Sequence, residues 1–550
     1  MLPAQTDVLV VGAGPAGLAL AIELGRRGVH VLVLERNDRV GVAPRAKTTH
    51  LRSREHLRRW GIADKLRDAS PLGVDYPSDV VFATRLNGYE LARFRNAFNC
   101  APMRDERYAE HAQWVPQYVL ENVLRDYAET LPTVQIVFEQ QWLQYESQGD
   151  LLQVLVRNLR ATTQATVKAK YLVGADGSRS AVRAAIGARM VGERSLSRNC
   201  NAVIRAPGLA HATTLAAGVM YWLVNDDLPA LTGPMHKDGR WFFMPTRLPP
   251  EQGLAAADVP AMVRRSTGID TPVEVLSCDE WQANQLIADR YSDAAQRVFL
   301  IGDACHLHPP FGGYGMNMGF ADGVDLGWKL AAVLDGWGGP QLLDSYEQER
   351  RPLHRAVIDE AVANHAILAN QLFRPGIEQA GDAGAAIRRD VGDTIQAAKR
   401  REFFAPGVVK GFAYATSPII ANEAATMSLD WRIYEPSAQP GSIAPHAWLP
   451  DGSSLYDHFG SGFTLLVIDA HDIGRPADDA VQIQRLQQAA NLRQIPIAIL
   501  PITATVMVQR LSLLYGARYA LIRPDQHVAW RGSAIPDAIG ELLARLTGTI

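Results

Sequence analysis

The first 35 residues pass from an apolar run through a glycine-rich break to a second apolar run. Residues 7–11 (DVLVV) are mostly β-branched, residues 12–17 interrupt them, and residues 18–25 carry apolar side chains at helical spacing. A second apolar run, 29–34, ends at Glu35. This order predicts a strand, a tight turn, a helix and a second strand. Continuous apolar runs of this kind are typical of a parallel sheet that is buried on both faces.

Later segments repeat the pattern of a strand that ends in a Gly/Asp turn. The runs 167–173 and 297–301 lead into Gly-Ala-Asp-Gly and Gly-Asp, respectively. Strand-like pieces between them, at 217–224 and 239–244, predict an inserted sheet. A helical pattern follows at 323–334, then a weakly patterned stretch broken by prolines, and beyond residue 440 strand and helix patterns return.

These patterns divide the chain into five parts. We predict a first part of a nucleotide-binding domain, an inserted sheet, the return of the nucleotide-binding domain, a helical linker and a small C-terminal α/β domain. Their boundaries are 1–189, 190–280, 281–365, 366–440 and 441–550.

Composition narrows the function. The 550 residues are 47% hydrophobic and 21% charged, with a net charge of −3, which is typical of a soluble globular protein and gives no indication of nucleic acid or an anionic membrane as partner. Four scattered cysteines offer neither a disulfide framework nor a CxxC metal site, so no metal is predicted. No export signal or membrane span is recognisable, which predicts a cytoplasmic protein.

The glycine-rich turn fits GxGxxG with Gly12, Gly14 and Gly17. The first glycine permits the tight turn, the second lets a pyrophosphate approach the backbone, and the third lets helix and strand pack closely. Glu35, followed by Arg36, lies near the offset expected for a carboxylate that binds ribose hydroxyls. These residues predict an adenine dinucleotide site and leave NAD and FAD both open.

Three motifs together resemble the single-component FAD-dependent aromatic hydroxylases, the family of para-hydroxybenzoate hydroxylase and phenol hydroxylase. They are GAGPAGL at 12–18, GADGSRSAVR at 174–183 and GDACHLHPPFGGYGMN at 302–317, and the resemblance spans roughly residues 5–355. It implies an α/β fold, with a Rossmann-like FAD-binding domain and an inserted substrate-binding β-sheet. Residues 519–532 (YALIRPDQHVAWRG) resemble the C-terminal thioredoxin-like domain of larger hydroxylases. All cysteines precede residue 306, so this domain lacks redox cysteines and we expect a structural role or a subunit contact.

The resemblance implies several cofactor contacts and two residues beside the reacting centre. Arg45 and Gln117 would contact the flavin or its phosphates, and Asp176 would lie where FAD and the nicotinamide approach each other. Asp303 would bind the ribityl chain, and backbone groups of three further residues would lie beside the isoalloxazine: Gly315, Met316 and Asn317. Pro310 would help to hold a rigid loop, and His306 or His308 could accept a phenolic proton.

The family implies a reaction cycle in which NADPH or NADH reduces FAD, dioxygen forms a flavin hydroperoxide, and a small bound aromatic compound takes one oxygen atom. Substrate contacts are expected on the inserted sheet, although alternation leaves open which face of strand 240–244 meets the flavin. The candidates are Tyr221, Trp222, Arg240, Trp241 and Phe243. His236 could join Arg240 in binding an anion, and the basic residues Arg45, Lys47, Arg52 and Arg54 could meet a ribose phosphate or simply face solvent.

Two alternatives remain. A related flavin monooxygenase could act on a polycyclic polyketide, an antibiotic or another compound that is not a simple phenol. A flavin-binding protein without turnover is the other. No WxWxIP pattern accompanies the tryptophans, which argues against a flavin halogenase. A homodimer is compatible with the sequence but is not indicated by any residue pattern.

Overall fold

The computed structural model describes residues 2–38, 46–246, 255–421, 430–468 and 476–550. Up to residue 189 the elements are β1 (Gln5–Val11), α1 (Pro15–Gly25), β2 (Val31–Leu34), β3 (Thr48–Thr49), α2 (Leu51–Arg59), α3 (Ala63–Asp68), β4 (Val80–Ala83), β5 (Glu90–Phe94), β6 (Gln113–Trp114), α4 (Gln117–Ala128), β7 (Val134–Val137), β8 (Gln140–Gln148), β9 (Leu151–Asn158), β10 (Gln164–Gly174) and α5 (Ala181–Ala185). The next elements, up to residue 288, are β11 (Met190–Arg205), α6 (Gly208–Ala212), β12 (Met220–Leu223), β13 (Ala230–Pro234), β14 (Arg240–Pro245), α7 (Val259–Thr267) and β15 (Glu274–Ala288).

The second half of the chain contains the longest helices. From residue 298 to 410 the elements are β16 (Val298–Leu300), β17 (His306–Leu307), α8 (Tyr314–Leu334), α9 (Pro340–His365), α10 (Ala369–Leu372), α11 (Gly381–Phe403) and α12 (Pro406–Lys410). The C-terminal part contains β18 (Phe463–Ile468), α13 (Pro476–Asn491), β19 (Ile497–Ile502), α14 (Thr505–Tyr515), β20 (Tyr519–Ile522), β21 (Val528–Gly532) and α15 (Ile539–Leu546). Among the described helices, none is long and apolar enough to cross a membrane.

A seven-stranded sheet forms the nucleotide-binding domain, in the order β7-β2-β1-β10-β9-β8, with β16 also paired to β10. Strands β7, β2, β1, β10 and β16 run parallel, and β9 and β8 are antiparallel. Val11 lies opposite Gly174, and Gly174 lies opposite Leu300. The glycine-rich turn after β1 and the two predicted Gly/Asp turns therefore lie side by side at the carboxyl edge of the sheet, where open α/β sheets bind ligands.

Three glycines let α8 lie directly against α1. A Cβ atom on Gly319 would come within 2.9 Å of the Gly302 Cα, and one on Gly323 within 2.6 Å of the Ala16 carbonyl oxygen. A Cβ on Gly327 would come within 2.8 Å of the Glu23 side chain. Because residues four apart share one face of a helix, this glycine stripe gives α8 a flat side that packs onto α1.

The inserted sheet has eight strands in the order β17-β15-β11-β14-β13-β12-β4-β5. The predicted pieces 217–224 and 239–244 correspond to β12 and β14. Strands β4 and β5 also belong to this sheet, although they precede the predicted boundary at residue 190 by about a hundred residues. The long pair β11 and β15, joined along most of their length, connects the sheet to the nucleotide-binding domain.

The C-terminal sheet has the order β19-β18-β20-β21, with β18 and β19 parallel and the other neighbours antiparallel. Helix α13 connects the parallel pair, and α15 follows β21. This arrangement of strands and helices is the thioredoxin-like fold that the sequence predicts.

A buried network of charges joins the C-terminal domain to α8 and α9. Arg523, in the turn after β20, donates to Glu349 at 2.6 and 3.0 Å, to Asp325 at 3.1 Å and to Asp525 at 2.6 Å. Lys329 donates to Asp325 at 2.8 Å and to Glu349 at 2.7 Å. Three carboxyl groups thus share two cations, and burial together with the neighbouring Glu349 raises the pKa of Asp325 to about 7.

We expect Arg523→Met to destabilise the protein by about 3–5 kcal/mol, since it removes one cation and leaves buried carboxylates without compensation. Arg510→Met is the matched control, because Arg510 joins the C-terminal domain to Glu106 at the surface, 2.5 Å away. Its loss should cost no more than about 1 kcal/mol. Urea-unfolding midpoints measure both changes, and equal midpoints for the two variants would contradict the role assigned to Arg523.

Candidate active site

The three glycines of the first turn have different physical roles. Gly12 has a φ of +111°, and a Cβ there would come within 2.3 Å of the Ala175 carbonyl oxygen, while a Cβ on Gly17 would come within 2.1 Å of the Gly12 carbonyl oxygen. Gly14 adopts an ordinary extended conformation, and no described atom lies within 4 Å of a Cβ built on it. Gly12 and Gly17 are therefore required by packing inside the protein. Gly14 faces open space before the N-terminus of α1, where a phosphate group fits.

Glu35 braces this turn. One carboxylate oxygen accepts a hydrogen bond from the Ala13 N–H at 3.0 Å, and the other accepts from the Asn37 N–H at 3.0 Å. A carboxylate has further lone pairs, so ribose hydroxyls can still donate to it. The neighbouring Arg36 is exposed. Both residues remain predicted cofactor contacts.

Gln117 begins α4 and holds the chain next to it. Its side-chain oxygen accepts from the Ala46 N–H at 3.1 Å, and its side-chain nitrogen donates to Glu121 at 2.7 Å. Arg45, the preceding predicted flavin contact, lies outside the described residues. The Gln117 side chain thus fixes the backbone at Ala46, the residue that follows Arg45 in the sequence.

Asp176 caps the short helix α5. Its carboxylate accepts from the N–H groups of Ala181 at 2.7 Å and Val182 at 3.2 Å, and also from the Ser180 hydroxyl. In the same motif, Arg183 donates to the Ala304 carbonyl at 2.9 Å and so links the second motif to the third. The geometry gives Asp176 a structural task, and its contact with a cofactor remains a prediction.

The third motif ends in the first turn of α8. Asp303 lies half-buried in a short 3-10 turn, Gly302–Ala304, and a second turn contains two glycines of positive φ before α8 begins at Tyr314. The first N–H groups of a helix have no partner inside the helix, so Gly315 and Met316 present backbone donors here, whereas Asn317 lies four residues after the N-cap Gly313, where the first intrahelical bond forms. The Asn317 side chain is already used: it accepts from the His50 N–H and the Ser53 hydroxyl and donates to the carbonyls of Thr48 and Gly313.

The two histidines of the third motif have different surroundings. His308 makes a contact of 3.1 Å between its Nδ1 and the Pro309 carbonyl, and its buried Nε2 has no partner among the described residues. Burial and the neighbouring His306 lower the pKa of His308 to about 4, so the ring is neutral near pH 7. Pro310 is exposed at the end of this loop. The Nε2 atom of His306 instead lies 3.0 Å from a carboxylate oxygen of Asp322, and this contact holds the start of the loop in place.

Asp322, on α8, is a buried residue that sequence reasoning missed. It accepts from the Gly302 N–H at 3.0 Å, from His306 at 3.0 Å, from Arg350 at 2.8 Å and from His354 at 2.9 Å. Burial alone would raise its pKa, but His354 and Arg350 hold that pKa well below its usual range. The available signal was the set of charged residues, Asp322, Asp325 and Lys329, in a helix whose other residues are mostly apolar.

Four side chains around Asp322 have the chemistry of metal ligands. The potential ligand atoms of Cys305, His306, Asp322 and His354 all lie within 4.8 Å of one another. The Arg350 guanidinium already forms an ion pair with one Asp322 oxygen, and its positive charge would repel a metal ion bound at the same carboxylate. We interpret this group as a buried ion-pair network that supports the turn at Gly302.

One face of the inserted sheet packs against the third motif, and we expect this face to meet the flavin; it is called the flavin-side face below. Trp222 stacks on Phe82 at 5.2 Å between ring centroids and lies 5.9 Å from Phe311 of the third motif. Phe242 belongs to the same cluster. The Arg240 side chain lies on the same side of β14 as that of Phe242, and its guanidinium forms an ion pair with the Asp238 carboxylate at 2.9 Å. His236, in the same hairpin, accepts from the Asp238 N–H.

Three predicted substrate residues point away from this face. Tyr221, Trp241 and Phe243 belong to a separate core cluster on the opposite side of the sheet, where α6 and α7 cover it. Their alternation with Trp222 and Phe242 along the strands places them there. Their prediction as pocket residues is therefore corrected.

The basic stretch after Arg45 is neither a solvated face nor a free phosphate site. Arg52 is buried and donates to Glu55, Gln526 and the Asp525 carbonyl. Arg54 is buried and donates to Glu110 and the Ala63 carbonyl. Lys47 alone of these three points toward the inserted sheet, where its Nζ lies 4.2 Å from the centre of the Phe242 ring.

The glycine geometry predicts that Gly14→Ala separates cofactor affinity from folding. The variant should unfold at the wild-type midpoint, since its Cβ meets no described atom, but its affinity for FAD should fall at least ~10-fold because the pyrophosphate cannot approach. Gly12→Ala should instead destabilise the protein itself by more than about 1 kcal/mol. Fluorescence titration of the apoprotein with FAD, together with thermal unfolding, tests this contrast. Unchanged FAD affinity in Gly14→Ala would contradict it.

The neutral His308 predicts a pH dependence of stability. The unfolded ring takes up a proton near pH 6.5 and the folded ring only near pH 4, so the unfolded state binds more protons between these values and stability falls as the pH falls. From pH 7 to pH 5 the wild type should lose about 2 kcal/mol more unfolding free energy than His308→Gln. Urea titrations at both pH values measure the difference, and equal losses would show that the folded ring is not held neutral.

Known proteins resemble this chain over nearly its whole length. A 4-methyl-5-nitrocatechol 5-monooxygenase from Burkholderia sp is 29% identical over 98% of this chain and 98% of its own length. Aklavinone 12-hydroxylase DnrF from Streptomyces peucetius is 32% identical over 84% of this chain and 91% of that protein. The structure of the rebeccamycin biosynthetic enzyme RebC with reduced flavin superposes with a TM-score of 0.88 and 33% identity, covering all of both chains.

Family models agree with the three-motif site and the appended domain. A model described as an FAD binding domain matches residues 5–361, and one described as the C-terminal domain of aromatic-ring hydroxylases matches residues 437–549. The matched region contains the glycine turn, Glu35, the Gly302–Ala304 turn and the start of α8. The chain therefore belongs to the FAD-dependent aromatic-ring hydroxylases and is an FAD-dependent monooxygenase.

Proposed function

We propose that this monooxygenase uses NADPH or NADH and dioxygen to hydroxylate a small phenolic compound. The observation that carries the proposal is the aromatic face of the inserted sheet, where Trp222 and Phe242 lie against Phe311 of the flavin motif. Aromatic side chains with few polar groups are typical of a pocket for an apolar ring.

The residues at the carboxyl edge fit FAD. The open space at Gly14 accommodates the pyrophosphate, Glu35 retains acceptor capacity for ribose, and the N-terminus of α8 offers backbone donors and positive dipole to the flavin ring. Asp303 and Gln117 are the proposed side-chain contacts to the rest of the cofactor. When bound, FAD supplies the reducing equivalents taken from NAD(P)H and the activation of dioxygen.

The protein's own residues bind and orient the arene. Trp222 is fully buried, with Phe82 stacked on its ring and the Lys399 amine 4.4 Å from its centre, so it would form the apolar layer behind the substrate ring. Phe311 would help to exclude water from the ring. The neutral His308 has a buried Nε2 able to accept a hydrogen bond from a phenolic hydroxyl. With a pKa of about 4, His308 would polarise the phenolic O–H without holding its proton near pH 7, and this hydrogen bond would make the arene a better electron donor, so His308 is the proposed catalytic residue. Pro310 would help to fix the loop that carries it.

The nicotinamide has no second glycine-rich motif in the sequence, so we propose that it binds transiently across the FAD-binding domain. We further propose that dioxygen and the arene are the only other small molecules needed, and that the C-terminal domain acts structurally, through the network around Arg523.

A polycyclic substrate is the second candidate. It is favoured by the likeness to RebC, a rebeccamycin biosynthetic enzyme, and to an aklavinone hydroxylase, at 33% and 32% identity. The two candidates share cofactor, oxidant and reaction type and differ in the size of the ring system.

The test is NADPH and NADH oxidation by the FAD-loaded protein with phenols, hydroxybenzoates and polycyclic hydroxyarenes. With a phenolic substrate we expect oxidation to accelerate and the product to gain one oxygen atom from labelled dioxygen, since a correctly bound ring takes the oxygen before it is lost as peroxide. Acceleration only by polycyclic compounds would favour the second candidate. Oxidation that no arene accelerates, with peroxide as the sole product, would contradict both.

A further inference from the structure

Lys47 lies between the FAD-binding domain and the inserted sheet. It directly precedes β3, and its carbonyl accepts from the Val115 N–H at 2.8 Å, which fixes its backbone. Its side chain reaches the flavin-side face of the sheet, where Nζ lies 4.2 Å from the centre of the Phe242 ring. The amine is thus at the boundary that also contains Trp222 and Phe311.

The charge of Lys47 has no anionic partner in the described part of the chain. Lys47 is half-buried. Three fully buried lysines each have a carboxylate: Lys399 has Glu402 at 2.5 Å, Lys410 has Glu55 at 2.6 Å, and Lys329 has two. The described residues place no carboxylate oxygen within 4.0 Å of the Lys47 Nζ, and removal from water lowers the pKa of Lys47 to about 8.

Such an arrangement is costly without a ligand. An ammonium group loses hydration when it is buried, and the face of one aromatic ring replaces only part of that stabilisation. Two further cations on this side of the sheet each have a carboxylate: Arg240 is paired with Asp238, and Lys399, whose Nζ lies 4.4 Å from the centre of the Trp222 ring, is paired with Glu402. Among the described residues, Lys47 therefore offers a positive charge without a carboxylate partner, next to an apolar surface of aromatic side chains.

We infer that Lys47 binds the anionic oxygen of an acidic arene, a phenolate or an aryl carboxylate, while the ring lies on the aromatic face. This inference rests on the proposed function and narrows its substrate class to arenes with an anionic oxygen. An ammonium group also favours the phenolate over the phenol.

The test uses 4-nitrophenol, whose phenolate is coloured and whose phenol is not, together with its neutral isostere 4-nitroanisole. The FAD-loaded wild type should bind 4-nitrophenol as the phenolate, even at a pH where the free compound is mostly protonated. Lys47→Met should bind it about 10- to 100-fold more weakly and without the phenolate absorbance, because a charged hydrogen bond is lost. Affinity for 4-nitroanisole should be the same in both proteins.

Two further variants separate charge from folding. Lys47→Arg keeps the charge and should keep the preference for the phenolate, and Lys237→Met removes an exposed lysine of the same sheet and should change nothing. Equal 4-nitrophenol affinity in the wild type and Lys47→Met would overturn the inference. So would a loss of FAD, rather than of arene affinity, in Lys47→Met, or a wild type that binds no 4-nitrophenol.

The binding measurement requires no turnover, so its result is separate from that of the proposed function. Phenolate binding that depends on Lys47, without oxygen transfer to any phenol, would refute the proposed reaction and leave the anion site standing. Hydroxylation of phenols that is unaffected by Lys47→Met would support the proposed reaction and refute the anion site.

Discussion

The close approach of α8 to α1 is the constraint on which the remaining geometry depends. Gly319, Gly323 and Gly327 remove the side chains that would hold the two helices apart. A bulkier residue at Gly323 would meet the backbone at Ala16 and Leu20, which cannot move without disturbing the glycine turn at the start of α1. The position of α8 is thereby set relative to the first motif, and its N-terminus is aimed at the same edge of the sheet.

Side chains on the other sides of α8 contact the third motif and the C-terminal domain, so the position of α8 also determines where these parts lie. Asp322 holds the Gly302 turn and the third motif, and Asp325 and Lys329 meet Arg523 of the C-terminal domain. Buried charges of this kind tolerate few alternative arrangements, since each must keep its partner. One helix thus aligns the cofactor edge, the histidine loop and the appended domain.

Sequence reasoning recovered the elements whose signal is local. The turn at Gly12, the strands that end at Gly174 and Leu300, and the strands and helices beyond residue 440 lie where their apolar runs and glycines predict. It could not assign β4 and β5 to the inserted sheet, because strand pairing between residues 80–94 and 220–223 depends on contacts distant in the chain. Likewise, alternation alone could not distinguish the face of Trp222 from that of Trp241, since both faces are apolar and buried. Asp322 and Lys47 look like ordinary charged residues until the fold surrounds them.

The presence of β4 and β5 in the inserted sheet has a consequence for recombining this protein with its relatives. The sheet is contributed by three separated stretches of chain, 80–94, 190–288 and the short strand β17, so it is not a unit that can be exchanged at residues 190 and 288. A chimaera made at those points would pair a foreign β12 with the native β4, and the stacked rings of Phe82 and Trp222 would come from different parents. A chimaera designed to exchange substrate preference must therefore take residues 80–94 and the inserted sheet from the same parent protein.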